Sequence, residues 1–323
     1  MRKLLLFALA VSIANFGYSF TPNKKKDVGV LILAHGGKYM SWDETVKEAI
    51  SHLKEEYYVE VAFGMANPET MQEGIDKLEA HRVKQIVVVP LFISSYSPII
   101  RQNEYLLGLR DKLADPPMLM HHPPVDAVAD SHGGGHAMHD HSNHDHHSDE
   151  EVDLEQLKFT AEIILTKPLN SHPLVAKTVF DRINELSENP ANETILIVAH
   201  GPNDEEDNKN WIKEIDKIAD QIRDLQAEKG DAFKQIFGLT VRDDANQDIY
   251  DQAKEQLRTL VYQAGKNGEV IVIPLLLSQG GVEERYVKRL EGLEYKWDGK
   301  TLLPHPNIGE FIELSVKEAL GKV

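Results

Sequence analysis

VGVLILAHGG occupies residues 28–37, and TILIVAHG occupies residues 194–201. Each is an apolar run that ends in a His-Gly pair and leads into a polar segment. Two further pairs of segments recur in the same order. QIVVVPLFIS at residues 85–94 matches EVIVIPLLLS at residues 269–278. SHPLVAKTVFDRI at residues 171–183 matches PHPNIGEFIELSV at residues 304–316. Three matched landmarks in one order indicate an internal duplication.

The apolar runs predict the strands of buried parallel sheets. They are rich in Val, Ile and Leu and are continuous rather than alternating, which is typical of strands covered by helices on both faces. We therefore predict an α/β fold of two tandem doubly wound parallel-sheet domains. The predicted strands are residues 28–34, 59–64, 85–93, 160–166, 194–199, 235–241, 269–277 and 300–303. The predicted helices are residues 43–57, 68–81, 98–114, 205–228, 246–265, 283–291 and 307–321.

The spacing of the landmarks predicts the domain organisation. The amino-terminal half covers residues 28–188, and the carboxyl-terminal half covers residues 193–323. From the third-strand proline to the proline of the last helix there are 83 residues in the first half and 32 in the second. The first half therefore carries an insertion, which we place at about residues 115–151. Its Pro, Gly, His and Asp content cannot support a packed core, so we predict that it is disordered.

Residues 1–19 resemble a secretory signal peptide. A short basic start precedes an apolar stretch, and small residues follow near Ser19. We expect cleavage there and an exported, periplasmic protein with no stable membrane insertion after cleavage. A buried first helix or an uncleaved anchor is the alternative.

Composition excludes several functions. The net charge of −17 argues against nucleic acid as a partner, because nucleic-acid binding needs basic patches. The chain has no cysteine, so disulfides, thiolate metal sites and cysteine nucleophiles are excluded. His, Asp and Glu remain as strong metal ligands.

The insertion is rich in histidine. Imidazole is a good ligand for divalent cobalt, nickel and zinc, and neighbouring aspartates add oxygen donors. We predict that the tract binds divalent metal ions, the alternative being a soluble linker. Its histidines are His121, His122, His132, His136, His139, His141, His144, His146 and His147.

His35 and His200 each follow the first strand of a half and precede a glycine. Open α/β sheets place ligands outside the carboxyl ends of their strands, so these histidines are candidate site residues. A lone histidine there could equally pack in the core or cap a helix. Recurrence at the same point of both halves favours a functional role.

The chain resembles the class II tetrapyrrole chelatases. The resemblance is carried by AHG after the first strand, V-x-V-P-L in the third strand and HPL before the last helix, and it is greatest over residues 59–93. The closest members are sirohydrochlorin cobaltochelatases of the CbiX kind, followed by siroheme and protohaem ferrochelatases. The resemblance implies insertion of a divalent metal ion into sirohydrochlorin or a related tetrapyrrole. Co²⁺ is the expected ion, and Fe²⁺, Ni²⁺ and Zn²⁺ are the alternatives.

The resemblance also implies roles for particular residues. A ligand must hold the ion and a base must accept pyrrole protons, and His200 or His35 could do either. Backbone amides or basic residues would meet the acidic groups of the substrate, and Arg101 and Arg285 are candidates, with an ordinary surface role as the alternative for each. Family members of this kind place a second histidine where this chain has Pro98 and Val282, so that ligand is missing from both halves.

Protohaem ferrochelatases place a glutamate one residue further on, and this chain has Glu283 there. We therefore predict that the main site lies in the second half, with Glu283 as the carboxylate partner of His200. His35 is then either a second ligand or a relic of the duplication. Capping of a helix amino terminus is the alternative role for Glu283.

The sequence is compatible with two functions. One is an exported chelatase, and the other is a non-catalytic exported metal- or tetrapyrrole-binding protein on a chelatase scaffold. His172 and His305 precede the last helix of each half, and we expect them to cap or pack rather than to bind metal. The acidic residues 204–207 are expected to form a solvated helix start.

Overall fold

Two separate parallel sheets form from the repeated apolar runs. The computed structural model describes residues 27–36, 40–113, 115, 117 and 154–322. The strands are β1 (Val28–Ala34), β2 (Tyr58–Phe63), β3 (Gln85–Leu91), β4 (Glu162–Leu165), β5 (Glu193–Ala199), β6 (Gln235–Thr240) and β7 (Glu269–Leu275). The helices are α1 (Met40–Ala49), α2 (Pro68–Ala80), α3 (Pro98–Leu106), α4 (Pro173–Leu186), α5 (Glu205–Glu228), α6 (Gln247–Gly265), α7 (Val282–Arg289) and α8 (Pro306–Ala319). Short 3₁₀ helices lie at Ser51–Glu55 and Pro190–Asn192.

Both sheets place the first strand of their half at the centre. The first sheet has the order β2-β1-β3-β4, and the second has the order β6-β5-β7. All pairings are parallel, with Leu31 opposite both Glu60 and Val88, and Leu196 opposite both Phe237 and Val272. The predicted α/β class of two parallel-sheet units is confirmed.

Three predicted elements differ from the observed ones. Residues 300–303 form no strand, because the chain meets β7 at an isolated bridge between Ile271 and Lys296 and then turns through Gly299, whose φ is 72°. The helix predicted over 98–114 ends at Leu106, since Gly108 adopts a left-handed φ of 68°. The helix predicted over 43–57 divides into α1 and the 3₁₀ turn that follows it.

The last helix of each half packs against the opposite half. Helix α4 follows the first sheet but packs on α5 and β7, whereas α8 follows the second sheet but packs on β3 and α1. The two helices also pack against each other. One apolar core therefore runs between the sheets and joins inward-facing residues of β1 and β3 with those of β5 and β7. Two further cores lie on the outer faces, under α2 and α3 and under α6 and α7.

The crossing depends on a close approach at Gly309 in α8. A β-carbon there would lie 2.8 Å from the carbonyl oxygen of Ala49, the last residue of α1. Only glycine lets the two backbones come this near without displacement. Nearby, His52 Nε2 lies 3.7 Å from a carboxylate oxygen of Glu313 on the same helix.

Some predictions fall outside the described residues. These are the signal peptide at residues 1–19, the nine histidines from His121 to His147 and most of the insertion at 115–151. Among the helices of the described residues, none has the length and apolar character needed to cross a membrane.

Candidate functional site

The two strand-end histidines share one local geometry. Nδ1 of His35 lies 2.7 Å from the carbonyl oxygen of Gly36, and Nδ1 of His200 lies 2.9 Å from that of Gly201. The two glycines have φ values of 77° and 76°, which turn each carbonyl back towards the preceding ring. A β-carbon on Gly201 would also come within 2.4 Å of the Thr240 side chain. A carbonyl that accepts from Nδ1 fixes the ring so that Nε2 is the reactive nitrogen.

In the second half, Nε2 of His200 meets a carboxylate. It lies 3.1 Å from Oδ2 of Asp244, whose side chain is 64% exposed. Burial acts to lower the pKa of His200, but the hydrogen bond and charge of Asp244 and the charge of Asp243 outweigh it, so the pKa lies above its ordinary value. With Nδ1 donating to a carbonyl and Nε2 facing a carboxylate, the geometry fits the doubly protonated ring.

Arg285 approaches the same carboxylate from α7. One guanidinium nitrogen lies 3.8 Å from Oδ1 of Asp244, and the arginine side chain is 52% exposed. This long contact leaves the guanidinium open to solvent. The site therefore has a histidine, an acid and an accessible cation side by side.

A buried ion pair lies behind this surface. Asp243, next to Asp244 in the chain, accepts a short hydrogen bond from Arg289, and both side chains are only 2% exposed. Arg289 also donates to the carbonyl of Val241 at 2.8 Å and stacks on the ring of Tyr250 at 3.9 Å. Asp243 thus ties the loop after β6 to α7.

Glu283 takes a different place from the one predicted. Its carboxylate accepts hydrogen bonds from the backbone amides of Gly280 and Gly281 at 3.1 to 3.2 Å, at the start of α7. This is the capping role that was the alternative for this residue. The carboxylate that contacts His200 is Asp244, and a role for Glu283 in metal insertion stays a prediction.

Arg101 lies in a clamp between the halves. Its guanidinium donates to both carboxylate oxygens of Asp115 at 2.6 and 3.1 Å and to both of Asp207 at 3.1 and 2.9 Å. These two charge-assisted pairs raise the pKa of Arg101. Asp207 belongs to α5 of the second half, so this arginine joins the halves, and any substrate carboxylate would have to compete with two aspartates for it.

The remaining polar candidates are structural, as expected. His172 and His305 are the residues before α4 and α8, and each ring accepts a hydrogen bond from a backbone amide of the first helical turn. Their predicted capping role is confirmed. In the acidic segment, Asp204 caps α5 through the amide of Asp207, so this segment is a helix start as expected. It is not solvated throughout, because Asp207 is only 8% exposed and pairs with Arg101.

Within the part of the chain that the structure describes, no three His, Cys, Asp or Glu side chains converge as a ready-made metal cluster. His35 lies at the same point of its half as His200, at the end of the central strand and exposed to solvent. The predicted metal-binding roles of these residues stay predictions.

Asp244 is the site residue that the sequence analysis missed. It lies in an Asp-Asp pair just after β6, the strand beside β5. Neighbouring parallel strands end at the same edge of a sheet, so this pair could have been placed near His200 on that ground.

The chain is similar in sequence and in fold to known chelatases. Residues 29–96 match the CbiX family. The chain is 26% identical over 163 residues to the sirohydrochlorin cobaltochelatase of Methanothermobacter thermautotrophicus, a match that covers 50% of this chain and 94% of that protein. The structure resembles that of SirB from Bacillus subtilis with Fe³⁺, with a TM-score of 0.55 and 14% identity over 90% of this chain and 95% of that one.

These matches confirm the fold of a class II chelatase. They also confirm the specific resemblance to chelatases of the CbiX kind, seen first in the strand-end and proline motifs.

Proposed function

We propose that this protein is a chelatase that inserts a divalent metal ion into a tetrapyrrole, most specifically Co²⁺ into sirohydrochlorin. The observation that carries the proposal is the His200–Asp244 pair at the carboxyl end of a central strand, on a chelatase fold. The relative from Methanothermobacter supplies the choice of metal and macrocycle. Fe²⁺, Ni²⁺ and Zn²⁺ are the alternative substrates.

The chemistry requires two protons to leave the macrocycle for each ion that enters. In its neutral form His200 keeps the proton on Nδ1, which donates to the Gly201 carbonyl, and presents the Nε2 lone pair. Nε2 can then accept a proton from a pyrrole N–H as the ion takes over the pyrrole nitrogen. Asp244, 3.1 Å away, stabilises the imidazolium that forms and, being exposed, allows the proton to pass to solvent.

We assign this chemistry to the second half. Asp244 precedes by two residues Asn246, which caps α6, whereas Met65 holds the same place before Asn67, which caps α2. The loop after β2 therefore has no acid where the second half has one. In the first half, His35 has the same turn as His200 and is the candidate for holding the incoming ion.

We further propose that the histidines from His121 to His147 collect metal ions and that the protein works outside the cytoplasm. Both proposals rest on composition, of the tract and of residues 1–19 respectively. The tract should bind ions without being needed for turnover when metal is saturating.

A non-catalytic exported binder of metal or tetrapyrrole is the second candidate. It is favoured by the lack of a three-ligand cluster among the described residues. It predicts binding of sirohydrochlorin or Co²⁺ with metallation no faster than in buffer.

The test is metallation of sirohydrochlorin by Co²⁺, followed by absorbance, with purified mature protein. The chelatase should exceed the uncatalysed rate, and His200→Ala and Asp244→Asn should lose most of that excess. His81→Ala is the matched control, because His81 is exposed and stacks on Tyr58 far from the site. If the wild-type rate equals the rate in buffer, the chelatase proposal is wrong and the non-catalytic binder remains.

Two extensions of the assay test the finer claims. A panel of Co²⁺, Fe²⁺, Ni²⁺ and Zn²⁺ identifies the preferred ion. Deletion of residues 121–147 should reduce the number of bound ions and spare the rate at saturating metal. Loss of all turnover in the deletion would contradict the proposed role of the tract.

A further inference from the structure

His200 and Asp244 come from different loops, and their contact needs those loops to be held together. His200 begins the loop between β5 and α5, and Asp244 lies in the loop between β6 and α6. The side chain of Asp244 is 64% exposed, so burial does little to fix it. Besides the contacts of its side chain with His200 and Arg285, the backbone on either side contributes to its position.

Arg242 joins the two loops by four hydrogen bonds. Its backbone amide donates to the carbonyl of His200 at 2.7 Å. Its guanidinium donates to the carbonyl of Pro202 at 3.0 Å, to the carbonyl of Asn203 and to the carboxylate of Glu205 at 2.5 Å. The Asn203 side chain in turn donates to the carbonyl of Asp244 at 2.9 Å.

The burial and the backbone conformation of Arg242 both cost free energy. Arg242 is 6% exposed, so a cation has been withdrawn from water, and its φ of 51° lies in the left-handed region that is uncommon for residues other than glycine. Strained residues of this kind persist where the surroundings hold them and often lie at functional sites. Since the guanidinium reaches two carbonyls and a carboxylate at once, lysine could not replace it.

The first half provides an internal comparison. After β2 the chain passes from Gly64, whose amide donates to Ala34, to Asn67 in four residues, whereas the corresponding passage from Val241 to Asn246 takes six. The longer loop contains Arg242 together with the acidic pair. The arginine thus occurs in the half that has a carboxylate to position.

We propose that Arg242 is the positioning residue of the site, holding Asp244 against His200 by tying their loops together. This inference rests on the proposed function for its kinetic consequence but not for its geometry. Loss of a group that orients a reactive histidine through its partner typically costs about 10- to 100-fold in activity.

Arg182 supplies a matched control. It is similarly buried, and its guanidinium makes the same kinds of contact, with the carbonyls of Thr301 and Pro304 and the carboxylate of Glu185. It joins α4 to the segment before α8, away from His200. Substitution of Arg182 by lysine should therefore lower stability without altering the histidine.

The first experiment is ¹⁵N NMR of the histidine rings in the full chain. The His200 signals are assigned by their loss in His200→Gln. Arg242→Lys should move them in the direction seen for Asp244→Asn, and Arg182→Lys should leave them in place. Asn203→Ala, an exposed change that does not threaten folding, should move them by a smaller amount.

The second experiment is a double-mutant cycle on the metallation rate. Arg242→Lys should lower kcat by about 10- to 100-fold. Combined with Asp244→Asn it should cause no further loss, because both changes remove the same contact. If metallation is absent from wild type, the proposed function fails, and NMR still decides the positioning role. His200 signals that shift in Asp244→Asn but stay in place in both Arg242→Lys and Asn203→Ala would overturn it.

Discussion

Replacement of Arg289 by methionine should destabilise the protein severely. Arg289 and Asp243 form an ion pair in which both side chains are 2% exposed. Removing one partner leaves a buried carboxylate without its countercharge, which typically costs about 3–5 kcal/mol. The lost hydrogen bond to the Val241 carbonyl at 2.8 Å and the stacking on Tyr250 favour the upper part of that range. Methionine keeps much of the apolar volume, so the change reports mainly on charge.

Arg285→Met is the control on the same helix, one turn earlier. Its side chain is 52% exposed and its nearest carboxylate oxygen is 3.8 Å away, so its loss should cost less than about 1 kcal/mol. Unfolding by guanidinium chloride can be followed through Trp297, whose ring lies 6.5 Å from that of Tyr286 in the same core. A second change, Asp243→Leu in the Arg289→Met protein, should recover much of the lost stability. A loss below about 1 kcal/mol for Arg289→Met, or equal losses for the two arginines, would refute the reasoning.

Three further outcomes are expected. Gly309→Ala should destabilise the protein by about 1–3 kcal/mol, because its methyl group would lie 2.8 Å from a carbonyl oxygen of α1. Gly265→Ala in α6 is the control, since a methyl group has room there. Equal losses of stability for the two changes in denaturant unfolding would contradict this prediction. The pKa of His200 is raised, so its stabilising contribution is complete below its unfolded pKa and is lost as pH rises through the folded pKa. The stability difference between wild type and His200→Gln should therefore shrink as pH rises above about 6.5, and Asp244→Asn should remove that trend. The pKa of His172 is lowered, chiefly by burial, so its effect on stability has the opposite dependence on pH. The unfolded state binds the proton more readily, and the free energy of unfolding falls as pH drops below about 6.5. His172→Asn, which keeps a capping side chain, should reduce that acid sensitivity in thermal melts, and an unchanged acid limb would count against it.

The strands and helices were largely predictable because the signals that define them are local. The helix predicted over 68–81 begins at Pro68, where the side chain of Asn67 accepts hydrogen bonds from two amides of the first turn. The helix predicted over 205–228 has those bounds in the structure. The segment at 300–303 was not predictable in the same way. Its short apolar run matches a strand, but a turn at Asp298 and Gly299 separates it from the bridge to β7.

The packing of α4 and α8 against the opposite half could not be predicted from the sequence. Periodicity shows which face of a helix is buried but not which sheet covers it. Both helices have apolar faces that would suit either sheet, and the choice is made by contacts far apart in the chain, such as Gly309 against Ala49. Arg101 is a similar case, since its partner Asp207 is 106 residues away.

The candidate site was predictable as a place but not as a set of contacts. His200 follows from the strand-end rule, which depends only on the order of apolar and polar residues. Its carboxylate partner could not be chosen by spacing, because Glu283 and Asp244 both lie beyond strands that flank β5. The amides of Gly280 and Gly281 hold Glu283 at the helix start, and in our proposal the contacts of Arg242 with the loop after β5 keep Asp244 at the ring. The two halves share the central strand and its two neighbours but differ in this loop, which is two residues longer in the second half and there carries Arg242, Asp243 and Asp244.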